Sequence, residues 1–359
     1  MTNRTVAARS KAPIPEKVIE RNPSTWQLAW RRFRRHKLAM LGGTVVMLLL
    51  LAAIFAPWLT PYGFSYQNRQ LLLRECGELP PGEFGSPHPC APSVDIPSDP
   101  QLLGQCVRPA VLVWKCGMHP FGTDDLGRDI LTRVMQGGRV SLLVGFVAAL
   151  AATLLGTLLG GIAAFLGGPV DAVISRFTDI MLSLPTLPLL LILTGLLANQ
   201  EVPLAAYLSQ TLGPSKSIVV IIIVIIVLSW MSTTRLVRGE VLSLRSREFV
   251  DAARASGAAT RHILVRHLLP NAVHVIIVQA TLQVGEAILI ESGLSFLGLG
   301  IQPPAVSWGN MLARAQEFVF TPNGIYVAFF PGLFIFLTVL CFNFVGDGLR
   351  DALDPRAKR

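Results

Sequence analysis

The sequence has few charged residues and none of the short motifs that mark a self-contained enzyme. Charged side chains make up 15% of its 359 residues, 52% are hydrophobic, and the mean hydropathy is +0.53. It contains no Gly-x-x-x-x-Gly-Lys-Ser/Thr, so it has no nucleotide-binding loop of its own. HExxH and GxSxG are also absent, which argues against an intramembrane enzyme. This composition excludes an ordinary soluble domain and favours a membrane protein.

Six apolar runs have the length needed to cross a bilayer, about 20 residues at about 1.5 Å each. They are expected at residues 38–58, 140–166, 172–197, 217–234, 272–297 and 326–344. Residues 218–228 are all Ile, Val or Leu, a composition that in water indicates a buried strand. In lipid, an unpaired strand would leave its backbone groups unsatisfied, so a helix is expected there too. Pro185 and Pro188 are expected to kink the third span.

Basic residues are concentrated on one predicted side of the membrane. Residues 1–37 contain ten Lys or Arg and two acids, and residues 235–267 contain seven Arg and three acids. Residues 59–119, on the opposite side, contain four basic and five acidic residues. This is the positive-inside distribution, and it predicts that both termini are cytoplasmic. The expected fold class is an all-α membrane protein with six transmembrane helices.

The expected organisation follows from these spans. A cytoplasmic tail (1–37) precedes the first transmembrane helix (38–58), which leads into an extracytoplasmic loop and elbow (59–139). The transmembrane core (140–349) contains a cytoplasmic loop (235–271), and a short cytoplasmic tail (350–359) ends the chain.

Four of the five cysteines fall in the extracytoplasmic loop: Cys76, Cys90, Cys106 and Cys116. That compartment is oxidising, so two disulfides are expected, with three connectivities open. A metal site that uses His88 and His119 is the alternative, although the spacing is not typical of one. Cys341, in the sixth span, is expected to be a buried, free residue.

The polar segment 248–257 is notable because it lies between two membrane spans. On a helix, its small residues would leave one side with little bulk: Ala252, Ala253, Ser256 and Gly257. Gly257 is expected to end this helix and Pro270 to begin the next one. Two interpretations stay open: a surface gripped by another protein, or a cytoplasmic loop whose basic residues only orient the chain.

Two acidic residues fall inside the fifth span, where a charge costs about 2.5–3.5 kcal/mol on insertion scales. Glu286 and Glu291 could line a translocation path and meet the amino terminus of a peptide. The alternative for Glu291 is a place near the outer face, with a hydrogen bond to a neighbouring helix.

Charged residues also flank the second and third spans. Those of residues 124–129 could contact an extracytoplasmic protein, or they could form a solvated elbow on the membrane. Asp171, Arg176 and Asp179 are expected to form an ion pair within or between helices rather than a substrate site.

The segment Asp251-Ala-Ala-x-x-x-Gly257, followed by Leu269-Pro270, resembles the EAA loop of permease subunits of bacterial ABC importers. Asp251 replaces the usual Glu but keeps its charge. His267 stands where the family usually has Ile.

Two further regions narrow the resemblance to dipeptide, oligopeptide and nickel permeases. They are residues 119–129 with 141–145, and residues 291–304 with 307–309. The likeness extends over residues 26–60 and 119–357, and it leaves out the cysteine-bearing loop.

This resemblance implies the type I ABC importer permease (MetI-like) fold in the bacterial cytoplasmic (inner) membrane. The chain would form half of a path for di- or oligopeptides and would bind no cofactor. The implied partners are a second homologous permease, two cytoplasmic ATPases that hold ATP and Mg, an extracytoplasmic solute-binding protein and membrane lipid, but no nucleic acid. The ATPase would be contacted through the helix 248–257 and its flank: Glu248, Asp251, Ala252, Ala253, Gly257, Leu269 and Pro270.

Alternative functions remain at this point. Permeases for nickel complexes or glutathione have the same features. A self-contained secondary transporter would need an ion site and inverted repeats, and neither is evident in the sequence.

Overall fold

A computed structural model describes residues 25–60, 62, 94–95, 118–199, 201–321 and 324–353. The helices are α1 (Thr25–Arg35), α2 (Lys37–Leu59), α3 (Ile130–Leu166), α4 (Gly168–Ser183), α5 (Thr186–Ala198), α6 (Pro203–Leu212), α7 (Lys216–Arg245), α8 (Glu248–Ala255), α9 (Thr260–Ile263), α10 (Leu269–Phe296), α11 (Trp308–Ala315) and α12 (Ile325–Leu353). A 3-10 turn (Gly213–Ser215) precedes α7, and a π-helical turn (Leu264–Leu268) precedes α10. Strands β1 (Val94–Asp95) and β2 (Met118–His119) pair antiparallel. Apart from this ladder and an isolated bridge between Thr123 and Asp129, the regular secondary structure of the described chain is helical, as expected. The cysteines at 76, 90, 106 and 116 lie outside the described residues.

Five helical runs of the described chain are long and apolar enough to cross a membrane. These are α2, α3, α6 with α7, α9 with α10, and α12. The Ile/Val-rich segment 218–228 is part of helix α7, so the helix prediction for it is confirmed. A bent pair, α4 with α5, supplies a sixth crossing if it is counted as one span.

The predicted kink in the third span is a full break, because α4 and α5 meet at 93°. Leu184, just before Pro185, has the extended conformation that proline imposes on its predecessor, with φ −79° and ψ 141°. Pro188 is in the first turn of α5, where a missing backbone N–H breaks no intrahelical hydrogen bond. Pro185 therefore accounts for the break, and Pro188 does not add to it.

Small residues let α3 and α7 pack at close range. A Cβ on Gly156 would lie 2.6 Å from both the Thr233 Cβ and the Trp230 carbonyl oxygen, and one on Gly160 would lie 2.5 Å from the Thr234 carbonyl oxygen. Helix association in lipid depends on such close packing, since lipid is as apolar as the side chains.

Helices α2 and α12 pack against each other in the same way. A Cβ on Gly42 would lie 2.8 Å from the carbonyl oxygen of Cys341. Cys341 is free and buried, as expected.

The acidic residues of the segment before α3 are buried, which contradicts the interpretation as a solvated elbow. Asp129 caps α3 by accepting a hydrogen bond from the Thr132 N–H (2.7 Å), and it lies 3.0 Å from Nδ1 of His119. Asp124 accepts from the N–H groups of Leu126 and Arg128. The two acids are turned inward because they satisfy backbone donors of a tight turn and a helix start.

Asp125 is also buried, whereas Arg128 is partly buried. Burial, with Asp124 next to it, raises the pKa of Asp125, while Arg314 and Arg128 oppose that rise. The Arg128 guanidinium binds Asp124 through Nε at 2.7 Å. Residues 124–129 therefore build the entry to α3 rather than a solvated elbow.

Candidate functional site

The polar segment 248–257 forms α8, a short helix with acids at its start and a glycine just beyond its end. Glu248 and Asp251 lie in the first turn and Arg254 in the last, which suits the helix dipole. Gly257 has φ +77°, a conformation that favours glycine. The Gly257 N–H donates to the carbonyl of Arg254, and the Ala258 N–H donates to the carbonyl of Ala253. This pair of bonds is the Schellman ending.

The inner face of α8 is anchored in an apolar cluster. Val250 is fully buried, and Ala253 packs beside it half-buried. The cluster draws residues from the adjoining parts of α3, α7, α9 and the π-helical turn: Ala164, Phe165, Val237, Val241, Ile263 and Leu268. A movement imposed on α8 would therefore reach four other helical segments through packed side chains.

The outer face of α8 is exposed. It carries Glu248, Phe249, Asp251, Ala252, Arg254 and Ser256. Ala252 thus lies on the surface as expected, whereas Ala253 faces the cluster. Sequence reasoning missed Val250 and Phe249, although an adjacent apolar pair in a polar helix indicates one residue facing each way.

Leu269 and Pro270 lie inside a helical run rather than at its start. The run extends from Thr260 to Phe296, and the N–H of Leu269 donates to the carbonyl of Leu264 across the π-helical turn. Pro270 lies in the first turn of α10, as expected, but the helical run continues back through the π-helical turn to Thr260. A proline ring clashes with a carbonyl one regular turn earlier, and the wider turn before Pro270 relieves that clash.

Replacing Gly257 should loosen the end of α8. Gly257→Ala places a Cβ in the left-handed region at a cost of about 1–2 kcal/mol, although no heavy atom lies within 4 Å of that Cβ position. We expect amide hydrogen exchange at Ala258 to accelerate by about 5- to 30-fold. Gly257→Asn, which tolerates this conformation, is the control and should exchange more slowly than the alanine variant. Equal exchange in Gly257→Ala and the unmodified chain would contradict the strain argument.

Glu291 is fully buried and joins two helices through hydrogen bonds. Ser141 of α3 donates to its Oε2 (3.1 Å), and Ser295 of α10 donates to its Oε1 (2.8 Å). The Ser141 hydroxyl accepts a hydrogen bond from the Trp308 N–H, and the Ser295 hydroxyl accepts one from the Ile301 N–H. This geometry matches the structural interpretation of Glu291 as an interhelical contact rather than a residue of the path.

Removing the Glu291 carboxylate should destabilise the bundle. Glu291→Leu leaves two buried serine hydroxyls without an acceptor, at about 1–3 kcal/mol each. Glu291→Gln keeps one acceptor oxygen and should be milder. The unfolding temperature of the detergent-solubilised chain should be highest for the unmodified protein, lower for Glu291→Gln and lowest for Glu291→Leu. A Leu variant as stable as the unmodified chain would contradict this role.

Glu286 has a different setting, five residues earlier on α10. Its side chain is exposed, and within the described residues no hydrogen bond or ion pair involves it. It therefore remains available to meet cargo or another chain.

Gln283, which sequence reasoning missed, joins three helices in the interior. Its Oε1 accepts from Thr153 of α3 (3.0 Å) and Thr233 of α7 (3.1 Å). Its Nε2 donates to the Ser229 carbonyl at 2.6 Å. A single amide in an apolar span matches no motif, so only its intramembrane position could have marked it.

Ion pairs join α4 to α7 through Asp171 and Asp179, the two acids for which the sequence predicts an ion pair. Asp171 binds both Nε and Nη2 of Arg238, the latter at 2.7 Å, and Asp179 binds Arg235 at 2.7 Å. The ion pairing is therefore between helices, and Arg176 takes part in no ion pair within the described residues.

Comparison with known proteins identifies what this arrangement resembles. A family model described as binding-protein-dependent transport system inner membrane component matches residues 156–359. One described as the N-terminal TM domain of oligopeptide transport permease C matches residues 24–81.

Individual proteins agree with the family models. A putative peptide permease protein of Brucella suis biovar 1 is 43% identical over 262 residues, which are 73% of this chain and 79% of that protein. The oligopeptide transport system permease protein OppC of Bacillus subtilis is 35% identical over 353 residues, 98% of this chain and 96% of that protein. A solved structure of the MetNI methionine ABC transporter in an inward facing conformation aligns with 63% of this chain and 98% of its own, at 18% identity and a TM-score of 0.49.

Proposed function

Because the chain belongs to the family of binding-protein-dependent transport system inner membrane components, we propose that it forms half of the translocation path of an ATP-driven importer for dipeptides or oligopeptides. Its place is a bacterial inner membrane, which it crosses several times. The peptide cargo is inferred from relatives whose names specify a peptide permease and oligopeptide transport.

One observation carries the coupling part of this proposal. Helix α8 has an exposed, charged outer face, and its inner face is anchored by Val250 in the cluster that joins α3, α7, α9 and the π-helical turn. A helix that served only to connect two spans would need no such anchor. A helix that is bound by a partner on one face and moves membrane spans through the other face needs contacts on both faces.

The proposed mechanism follows from this attachment. A cytoplasmic ATPase holds α8, with Glu248 and Asp251 supplying charge and Phe249 and Ala252 supplying contact area. Closure of the ATPase pair on ATP and Mg moves α8 as a rigid body, since Val250 and its neighbours are close-packed. The cluster then tilts the adjoining helices, which opens the path to one side and closes it to the other. The second permease supplies the other half of the path.

The proposed orientation of the chain in the membrane rests on the distribution of its basic residues. The end of the bundle with α8 is cytoplasmic because residues 235–267 are basic, and the opposite end receives cargo from a solute-binding protein. The division of the chain into tails, loops and core given above follows the same assignment. Glu286, exposed on α10, is the residue proposed to line the path.

Transport by the assembled complex tests the proposed function. The chain, its second permease, the two ATPases and the solute-binding protein would be placed in liposomes with a radiolabelled tripeptide outside. Uptake should require ATP inside and binding protein outside, and a Val250→Asp variant should hydrolyse ATP without uptake. Tripeptide uptake that proceeds equally without ATP would contradict the proposal and favour a secondary transporter.

A further inference from the structure

A cavity of about 350 Å³ lies at the end of the bundle opposite to α8. Its walls come from the turn before α3, the first turn of α3, residues 298–306 and helix α11. Under the sidedness proposed above, this end faces the solute-binding protein. We call this space the arginine cavity, because three arginines line it: Arg128, Arg133 and Arg314.

The lining of the arginine cavity carries positive charge without a matching acid. Besides its three arginines it includes the polar residues Ser295, Gln302 and Asn310, but no Asp or Glu. The nearest acids lie behind the lining and are already used. The carboxylate of Glu291, for example, accepts from Ser141 and Ser295.

The acids behind the lining do not exhaust the donors of the arginines. One oxygen of Asp124, Oδ2, serves both Arg128 Nε at 2.7 Å and Arg133 Nε at 3.5 Å. Arg314 reaches Asp125 only at 3.4 Å, and its side chain is 44% exposed. Nη2 of Arg128 is buried and has no hydrogen-bond partner within the described residues. Three guanidinium groups thus share two carboxylates, and a third anion would complete the set.

Part of the wall is apolar, which limits the kind of anion. Ile301, Pro303, Pro304 and Val306 line the cavity beside the arginines. A free inorganic anion would leave this surface unused. An anion attached to an apolar or uncharged body would use both parts, as small-molecule sites generally do.

We propose that the arginine cavity binds the C-terminal carboxylate of the cargo peptide as the peptide passes from the solute-binding protein into the path. Every unmodified dipeptide or oligopeptide carries this group, whatever its side chains, so such a site selects for peptides as a class without selecting among them. The guanidinium fork matches a carboxylate with two parallel hydrogen bonds. This inference rests on the proposed function and adds the chemical group that is recognised. A lipid phosphate has the same charge chemistry, and the experiment separates the two.

Ligand-observed NMR on the complex of two permeases and two ATPases, in nanodiscs of neutral lipid, tests the inference. The probes are trialanine, trialanine with a C-terminal amide, inorganic phosphate and short-chain phosphatidylglycerol. Trialanine should bind saturably and about tenfold more tightly than its amide. Arg314→Gln should remove that difference by weakening only the free acid. Because the comparison of acid with amide uses the unmodified chain, it does not depend on the folding of any variant.

Arg139→Gln is the matched control. Arg139 is exposed on α3 and lines a neighbouring cavity with Gln136, so the variant loses the same charge at the same end of the bundle. It should keep the preference for the free acid. Equal binding of acid and amide, or equal effects of the two arginine variants, would overturn the inference. Displacement of trialanine by phosphatidylglycerol or phosphate at lower concentration than trialanine itself would assign the cavity to a phosphate group instead.

ATP-driven peptide uptake by the same complex distinguishes failure of this inference from failure of the proposed function. If peptide uptake is normal but the cavity shows no preference for the free acid, only this inference fails. If the complex shows no ATP-dependent peptide uptake at all, the proposed function fails and the inference fails with it.

Discussion

Reversing both charges on the outer face of α8, in the double variant Glu248→Lys/Asp251→Lys, is expected to release the ATPases while the second permease stays bound. Both side chains are exposed, and Asp251 has only a long 3.4 Å contact with Arg254, so the fold should lose only about 0.3–1 kcal/mol per position through the helix dipole. An exposed ion pair contributes at most about 1 kcal/mol. A charge enclosed at an interface and then mismatched costs about 2–5 kcal/mol. Two such changes should weaken ATPase binding by at least about a thousandfold.

The measurement is affinity purification of the tagged chain from its membrane, with partners identified by mass spectrometry. Glu201→Lys/Glu317→Lys is the matched control, since it makes the same charge change at two exposed sites outside α8. The control should retain all partners. Loss of the ATPases from both double variants, or from neither, would contradict a specific role for α8.

The second large effect is expected at the close contact of α3 and α7. In Gly156→Ala the new Cβ would meet Thr233 and the Trp230 carbonyl at 2.6 Å, so the two helices must move apart. Overpacking of this kind costs about 1–3 kcal/mol. Separation would also strain the hydrogen bond from Thr233 to Gln283. We expect a clearly lower unfolding temperature and a reduced yield of folded protein.

Gly239→Ala is the control for this substitution. Gly239 lies on α7 with no heavy atom within 4 Å of its Cβ position, so alanine should stabilise the helix by about 0.5–1 kcal/mol. Thermal unfolding in detergent compares the two variants. Effects of the same sign at both positions would contradict the packing argument, because the residue change is identical and only the neighbours differ.

The sequence predicted the helices well because bilayer crossing imposes length, apolarity and helical hydrogen bonding together. Helix α7 was predictable in spite of its Ile and Val residues for that reason. The position of the break between α4 and α5 was predictable, but the angle between the two helices was not. Pro185 fixes where the hydrogen bonding stops, while the 93° angle depends on the packing of both halves.

The polar interior was harder to predict, because it depends on which side chains meet. Asp124 and Asp129 have the composition of a solvated elbow, but their oxygens are taken by nearby backbone N–H groups. Gln283 matches no motif, and its partners lie on helices far away in sequence. For α8, the polar residues indicated a contact surface, yet the anchor is Val250, whose burial depends on four other helical segments.

Crosslinking from the outer face of α8 tests the central claim most directly. Ala252→Cys would be introduced into the assembled transporter in membrane vesicles and treated with a short thiol-reactive photocrosslinker. Tyr207→Cys, exposed on α6, is the comparison at another surface. We predict that position 252 crosslinks to an ATPase subunit and that ATP binding changes the yield, while position 207 gives no ATPase product. A cysteine at 252 that crosslinks to the solute-binding protein, or that a membrane-impermeant thiol reagent labels from outside intact cells, would contradict both the coupling role of α8 and its cytoplasmic location.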